Sequence, residues 1–290
     1  MIQIQPGRLL ALRILTRLHL LDRMHLYPSI AVDGRKLRIP IVNGTGYSNF
    51  FSHEPWLDRV LRALLAQRDG TFVDVGANIG QTLLKFLGAG GNRYLGFEPN
   101  PQCLGYLESL CQVNALNDVE IVPTGLSDHA GVMRLFLSSD VDSSGSAVEG
   151  FRPAEEYATS KIIPVLRGDD VLASLDVQDA AVIKIDVEGG ELEVLRGIPE
   201  TLRNQRPFVI CEILPVYEEE SPIGIFRRMR TDDVETLMRD AGYSCHRLLQ
   251  GGGIVRLDRI ETHNSLELCE YLFVPIEREG SLGRLLAGTD

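Results

Sequence analysis

Cysteine is scarce in this 290-residue chain and poorly placed for cross-linking. Cys103, Cys111, Cys211, Cys245 and Cys269 are odd in number, widely spread and without a CxxC pair. Neither a disulfide framework nor a zinc site is suggested by that usage, which fits a reducing cytoplasm. Basic charge is also short: 29 Lys and Arg stand against 40 Asp and Glu, a formal net charge of -11. That balance argues against a protein that coats a phosphate backbone, so no nucleic-acid partner is expected. No run of 18 or more uncharged apolar residues occurs, which argues against a spanning helix. Internal repeats and low-complexity arrays are missing too.

What is present has the balance of an ordinary globular protein, with 44% hydrophobic and 24% charged residues, enough for a substantial core. The segment Leu9 to Tyr27, LLALRILTRLHLLDRMHLY, comes nearest to a hydrophobic run, but Arg13, Arg17 and Arg23 interrupt it. It reads as an amphipathic helix. Its apolar face packs on the domain or on another copy of the chain; the alternative is peripheral attachment to an anionic membrane.

Further along, Lys36 to Val42 suggests a strand, and Asn43 to Asn49 a turn-rich connection. Trp56 to Gln67 has apolar residues at helical spacing. From there strands and helices alternate: a strand at Thr71 to Val75, a helix from Gln81, a strand at Arg93 to Phe97, a helix at Pro101 to Asn114 and a strand from Val119. Between Val132 and Ile163 the rhythm breaks, and the polar run from Ser138 to Phe151 reads as a loop or lid. Strands resume at Ala181 to Val187, Phe208 to Ile213, Ser244 to Leu249 and Tyr271 to Pro275, with helices starting at Gly190 and Val234. Such alternation implies an α/β fold with a mainly parallel sheet, right-handed crossovers and helices on both faces. The expected organisation is an N-terminal extension over 1–55, one domain over 56–277 with a polar insertion at 138–163, and a tail over 278–290.

Ligands of open parallel sheets bind at the carboxyl ends of the strands. There the sequence places Asp74, the glycine turn Gly76, Asn78 and Gly80, then Glu98 and Asp186. Gly76 and Gly80 allow a close backbone approach to a ligand at the following helix. Glu98, about twenty residues on, can take both hydroxyls of a ribose. Together they describe an adenosine-containing cofactor. A dinucleotide fingerprint wants GxGxxG to seat a pyrophosphate, whereas this turn is GANIG, with Asn78 at the second glycine position. Asp74 repels a pyrophosphate but suits the amino group of an amino-acid moiety. S-adenosylmethionine is therefore favoured over NAD.

FVDVGANIGQT at Phe72 to Thr82, GFEPNP at Gly96 to Pro101, GLSD at Gly125 to Asp128, IKIDVEGGELEVLRG at Ile183 to Gly197 and RPFVICEI at Arg206 to Ile213 occur in that order. In this combination the chain resembles the FkbM-type family of class I S-adenosylmethionine-dependent methyltransferases, from about residue 56 to 275. The resemblance implies a Rossmann-like, doubly wound, mainly parallel seven-stranded sheet with one antiparallel strand near the C-terminus, which YLFVP would supply. It implies that Asp74, Gly76, Asn78 and Gly80 line the methionine end of the cofactor, that Glu98 holds the ribose, that Ser127 and Asp128 lie near the adenine and that Asp186 lies near the sulfonium. Gly125 stands where the family pattern has Ala.

The resemblance further implies a hydroxyl acceptor on a small molecule, sugar or glycan. Transfer to a hydroxyl needs a general base. Asp186 and Glu188 are the local candidates; His53, His129 and Glu212 are distant ones. Glu188 has an alternative role as a helix-start carboxylate. Asp186, Glu188 and Glu212 are also of the type that binds a hard divalent cation such as magnesium. An NAD-dependent oxidoreductase and a noncatalytic partner subunit of the same fold are the competing readings. A homo-oligomer is compatible with all of them.

Overall fold

The computed structural model describes every residue except 1, 5, 52, 53, 139–144, 149, 152, 154, 156 and 282–290. The N-terminal segment is broken into short pieces. β1 (Ile2–Gln3) leads to α1 (Pro6–Arg17), and then come β2 (His25–Leu26), β3 (Ser29–Val32), β4 (Arg35–Arg38) and β5 (Ile41–Val42). The helix expected over 9–27 stops at Arg17 because His19 turns left-handed (φ 52°) and a single 3-10 turn follows at Leu21–Arg23. Leu12 and Leu21 are buried, whereas Leu10, Ile14 and Leu18 are exposed. The strand expected over Lys36 to Val42 is two strands in different sheets, β4 beside β3 and β5 beside β2. Pro40 between them has no N–H to continue a ladder.

The alternating part follows: α2 (Pro55–Gln67), β6 (Thr71–Val75), α3 (Gln81–Gly88), β7 (Arg93–Phe97), α4 (Pro101–Asn114) and β8 (Val119–Val122). β9 (Gly125–Ser127), β10 (Gly131–Leu137) and β11 (Thr159–Arg167) make a separate three-stranded sheet. Then come α5 (Gly168–Ser174), β12 (Ala180–Ile185), α6 (Glu191–Gly197), β13 (Phe208–Glu212), α7 (Pro222–Asp240), β14 (Tyr243–Leu248), β15 (Ile254–Leu257) and β16 (Glu270–Pro275).

The main sheet has eight strands in the order β15-β14-β16-β13-β12-β6-β7-β8. β13, β12, β6, β7 and β8 run parallel, and β16 is inserted antiparallel between β13 and β14. This is the doubly wound class the alternation implies. The eighth strand, β15, extends the edge as a hairpin with β14, closed where Gly252 takes φ 87°.

Every residue of β6, β12 and β16 is buried, the pattern of strands covered on both faces. Alternate side chains feed two cores. Phe72, Val182 and Ile210 pack with α2, α3, α4 and residues of the N-terminal segment; Val73, Val75, Ile183 and Ile185 pack with α5, α6 and α7. From β6 the chain winds outward through β7 and β8, then returns to the other side of β6 at β12. The direction of winding reverses between β6 and β12, so a crevice opens at their carboxyl ends.

Candidate active site

The turn after β6 uses three left-handed residues, Gly76 (φ 92°), Asn78 (φ 49°) and Gly80 (φ 79°). The backbone N–H groups of Gly76 and Ala77 both donate to the Phe97 carbonyl, at 3.0 and 3.1 Å. Glu98 then closes the stitch: its Oε2 accepts from the Asn78 N–H at 2.7 Å and its Oε1 from the Asn100 N–H at 2.8 Å. Each carboxylate oxygen has a second lone pair left for a ligand hydroxyl. On the other side, the Asp186 N–H donates to the Val75 carbonyl at 3.0 Å. The ends of β6, β7 and β12 thus form one rigid rim.

A cleft of about 860 Å³, counted out to its open mouth, lies against this rim. Of the residues the sequence singles out, Gly76, Asn78, Glu98, Ser127, Asp186 and Glu188 line it together. Asp74, Gly80 and Asp128 do not join them, nor do His129 and Glu212. Asp74 is wholly buried beneath the turn, takes the Tyr94 hydroxyl proton donor and faces the Lys184 charge. Gly80 caps the start of α3 at φ 79° and packs on the Leu107 and Leu110 side chains. Asp128 is turned outward to His129, with Oδ1 and Nδ1 2.7 Å apart. His129 is exposed in that pair. His53 lies outside the described residues.

Sequence reasoning missed the apolar wall of the cleft. Met133 and Leu135 from β10, with Ile163 and Val165 from β11, line it opposite the rim. Part of the supposed lid is therefore a strand: β11 begins at Thr159 and pairs with β10 from Gly131↔Val165 to Leu137↔Thr159. Alternation in GVMRLFL was the available signal.

Lys184 was also missed. It sits in the apolar strand β12, 3% exposed, with Nζ 2.6 Å from Asp186 Oδ2. Asp186 is further hydrogen-bonded to Glu212 at the end of β13. Burial raises both carboxyls, but the Lys184 ammonium and the Glu212 hydrogen bond bring Asp186 below its usual range. Burial and the neighbouring Asp186 and Glu270 charges push Glu212 far up. Asp186 is held down and Glu212 pushed up, so the hydrogen-bonded pair titrates as a unit that retains one proton.

Beyond Asp186 a second cavity opens, about 1330 Å³ on the same measure. Glu188 lines both spaces, and the Asp186–Glu212 hydrogen bond links a residue of the first to a residue of the second. Glu188 takes φ 56°, a conformation a non-glycine residue adopts at a cost. The first-turn acids of α6 are Glu191 and Glu193, so the helix-start role does not fall to Glu188. Among the described residues, no group of three His, Cys, Asp or Glu is arranged to hold a metal ion.

Burial raises four more carboxyls near the crevice: Asp74 to about 6, Glu98 and Glu191 to about 7, and Glu270 to about 8. The folded protein keeps protons that the unfolded chain releases near pH 4 to 5. Stability from these groups is thus complete at low pH and declines as pH rises through 6 to 8. Denaturant unfolding of the ligand-free protein should show about 5 kcal/mol less stability at pH 8 than at pH 6, from about 1.4 kcal/mol per proton and pH unit summed over these four groups. Equal stability at both values would refute this.

The methyltransferase FkbM domain model matches residues 74–245. The chain belongs to the FkbM methyltransferase family. The family makes this protein an S-adenosylmethionine-dependent methyltransferase. It is similar to the hexuronic acid methyltransferase AglP of Haloferax volcanii, 32% identical over 201 residues that span 63% of this chain and 78% of the relative. Methyltransferase sdnD of Sordaria araneosa is 29% identical over 209 residues, 60% of this chain and 74% of its own. The crystal structure of methyltransferase FkbM from Methylobacillus flagellatus aligns with 71% of this chain at 17% identity and a TM-score of 0.45, and this chain spans 43% of its length. Among the described residues of this methyltransferase, no helix is long and apolar enough to cross a membrane.

Proposed function

We propose that this FkbM family methyltransferase moves the methyl group to a hydroxyl oxygen of a sugar or glycan. Glu188, which lines both cavities, carries the proposal: it borders the cleft at the glycine turn and the second cavity alike, and Asp186 of the first is hydrogen-bonded to Glu212 of the second. A donor in one and an acceptor in the other would lie on either side of these carboxyls. A sugar is favoured because the relative AglP is named as a hexuronic acid methyltransferase.

The first cleft suits S-adenosylmethionine. A Cβ on Gly76 would lie 1.9 Å from the Asp186 carbonyl oxygen, so the turn needs glycine to bring its backbone against the crevice. Glu98 would take the ribose hydroxyls, Ser127 and the apolar wall would flank the base, and Gly76 and Asn78 would border the methionine end. Asp74 would act on the amino group only indirectly, since Tyr94 and the turn cover it.

When bound, the cofactor supplies an electrophilic methyl on a sulfonium. Asp186 orients the acceptor hydroxyl and receives its proton, directly or by passing through Glu212, whose own proton then moves to Asp186. The S–CH₃ and O–H bonds break as the O–CH₃ bond forms, and the proton gained by the carboxyl pair replaces the positive charge lost with the sulfonium. Lys184 keeps Asp186 ionised until then.

Incubating the purified protein with methyl-labelled cofactor and a glycan extract tests this proposal. A labelled, alkali-stable methyl ether on a sugar is the expected product. Label recovered only as an alkali-labile ester or on nitrogen would overturn the proposal.

A further inference from the structure

The second cavity is lopsided in charge. Glu188 and Glu218 line it with Glu212, whose pair with Asp186 keeps one proton, and Arg227 is the cation among its described lining residues. Arg227 is not at a ligand's disposal. It is 7% exposed, donates from Nε and Nη2 to the Phe151 carbonyl at 3.1 and 2.8 Å, and from Nη1 to the Pro215 carbonyl at 2.8 Å. Its guanidinium also lies 4.6 Å over the Phe151 ring. These contacts tie two loops together and turn the donors inward.

Glu218 lines the cavity and is exposed, as are Glu219 and Glu220, which follow it in the chain. A run of like charge there repels an approaching anion and lowers its encounter rate. Tyr217, beside them, lines the cavity and is 57% exposed, with the Arg227 guanidinium 5.9 Å from its ring centroid. An aromatic face with carboxylates around it suits a ring that offers C–H edges and hydroxyl donors. A second cation is disfavoured, because the sulfonium of the donor would occupy the adjoining cleft.

Resting on the hydroxyl-methylation reading above, we infer that this cavity takes a neutral, hydroxyl-bearing sugar ring, stacked on Tyr217, and discriminates against the corresponding uronate. The protein therefore differs in acceptor charge from the relative named for a hexuronic acid. Glu218 and its neighbours set that preference, and Glu188 and Glu212 accept or share hydrogen bonds with the ring's hydroxyls.

The test is equilibrium binding by ligand-observed NMR to protein saturated with S-adenosylhomocysteine. The probes are matched methyl glycosides: glucoside with glucuronoside, galactoside with galacturonoside, mannoside with mannuronoside. In the pair that binds, the neutral member should bind about tenfold tighter at low salt, the effect of roughly one weakly screened charge contact. The ratio should shrink in 0.5 M salt and in Glu218→Gln. Tyr217→Ala should weaken the neutral sugar about tenfold. Tighter binding of the uronate, or no binding of any sugar, would overturn the inference. Binding needs no turnover, so failure of methyl transfer to hydroxyls would appear in the label assay and not in this titration.

Discussion

Replacing Asp186 by asparagine is expected to lower the rate of methyl transfer by about 10² to 10⁴, the usual contribution of a positioned general base, with much less effect on cofactor affinity. Asparagine has the shape of the carboxylate and can still accept from Lys184 Nζ, which lies 2.6 Å from Asp186 Oδ2. It cannot take a proton. Alanine is the poorer choice, since it leaves a buried ammonium without its partner, a cost of about 3 to 5 kcal/mol that confuses unfolding with lost chemistry. Glu212→Gln refines the result. Glutamine can donate to Asp186 as the protonated acid does but cannot relay a proton, so a large loss in both variants identifies the relay and a loss in Asp186→Asn alone identifies Asp186 as the terminal base. Single-turnover rates with labelled cofactor across pH separate these cases. An Asp186→Asn enzyme within threefold of wild type would remove Asp186 from the chemistry.

The strands that carry the rim were legible because parallel strands buried on both faces read as short apolar runs. Thr71 to Val75 and Arg93 to Phe97 are the observed strands to the residue. The helix at Pro101 to Asn114 was equally clear, since Asn100 caps it by accepting from the Gln102 N–H and Pro101 fits the first turn. Gly76, Asn78 and Glu98 converge as their strand-end positions imply, and Gly80 does not. Asp74 shows the limit of that logic. In an alternating strand, the face a side chain takes decides between ligand and core, and Asp74 points among Tyr94 and Lys184.

Features set by contacts between distant segments were not legible. Glu212 was a candidate by residue type alone, and its contact with Asp186, 26 residues away, arises because β12 and β13 lie side by side with Lys184 opposite Ile210 and Ile185 opposite Cys211. A lysine two residues before Asp186 in VIKID was a local signal, but that Glu212 meets Asp186 could not be known without that register. The cavity beyond Asp186 depends on Arg227 in α7 reaching Phe151 across 76 residues. No local pattern encodes such a tie. β15 was not legible although Ile254, Val255 and Leu257 are apolar, because four half-exposed or exposed residues at a sheet edge are too short a run to tell from a loop.

Gly76→Ala is expected to weaken binding of S-adenosylhomocysteine at least about 100-fold and to destabilise the fold by several kcal/mol. Two costs combine. At φ 92° any L-residue is strained, and the added Cβ would lie 1.9 Å from the Asp186 carbonyl oxygen and 2.9 Å from its carbonyl carbon. Both neighbours are backbone at the end of a central strand, so relief requires β6 and β12 to part or the turn to lift, and either displaces the Asn78 N–H from Glu98. Gly90→Ala separates the two costs. Gly90 also has positive φ (81°) but nothing within 4 Å of an added Cβ, so it should lose only about 1 kcal/mol and keep cofactor affinity. Calorimetric titration and denaturant unfolding of both variants measure the difference. If Gly76→Ala binds the cofactor product within threefold of wild type, the turn is not the wall against which the cofactor lies.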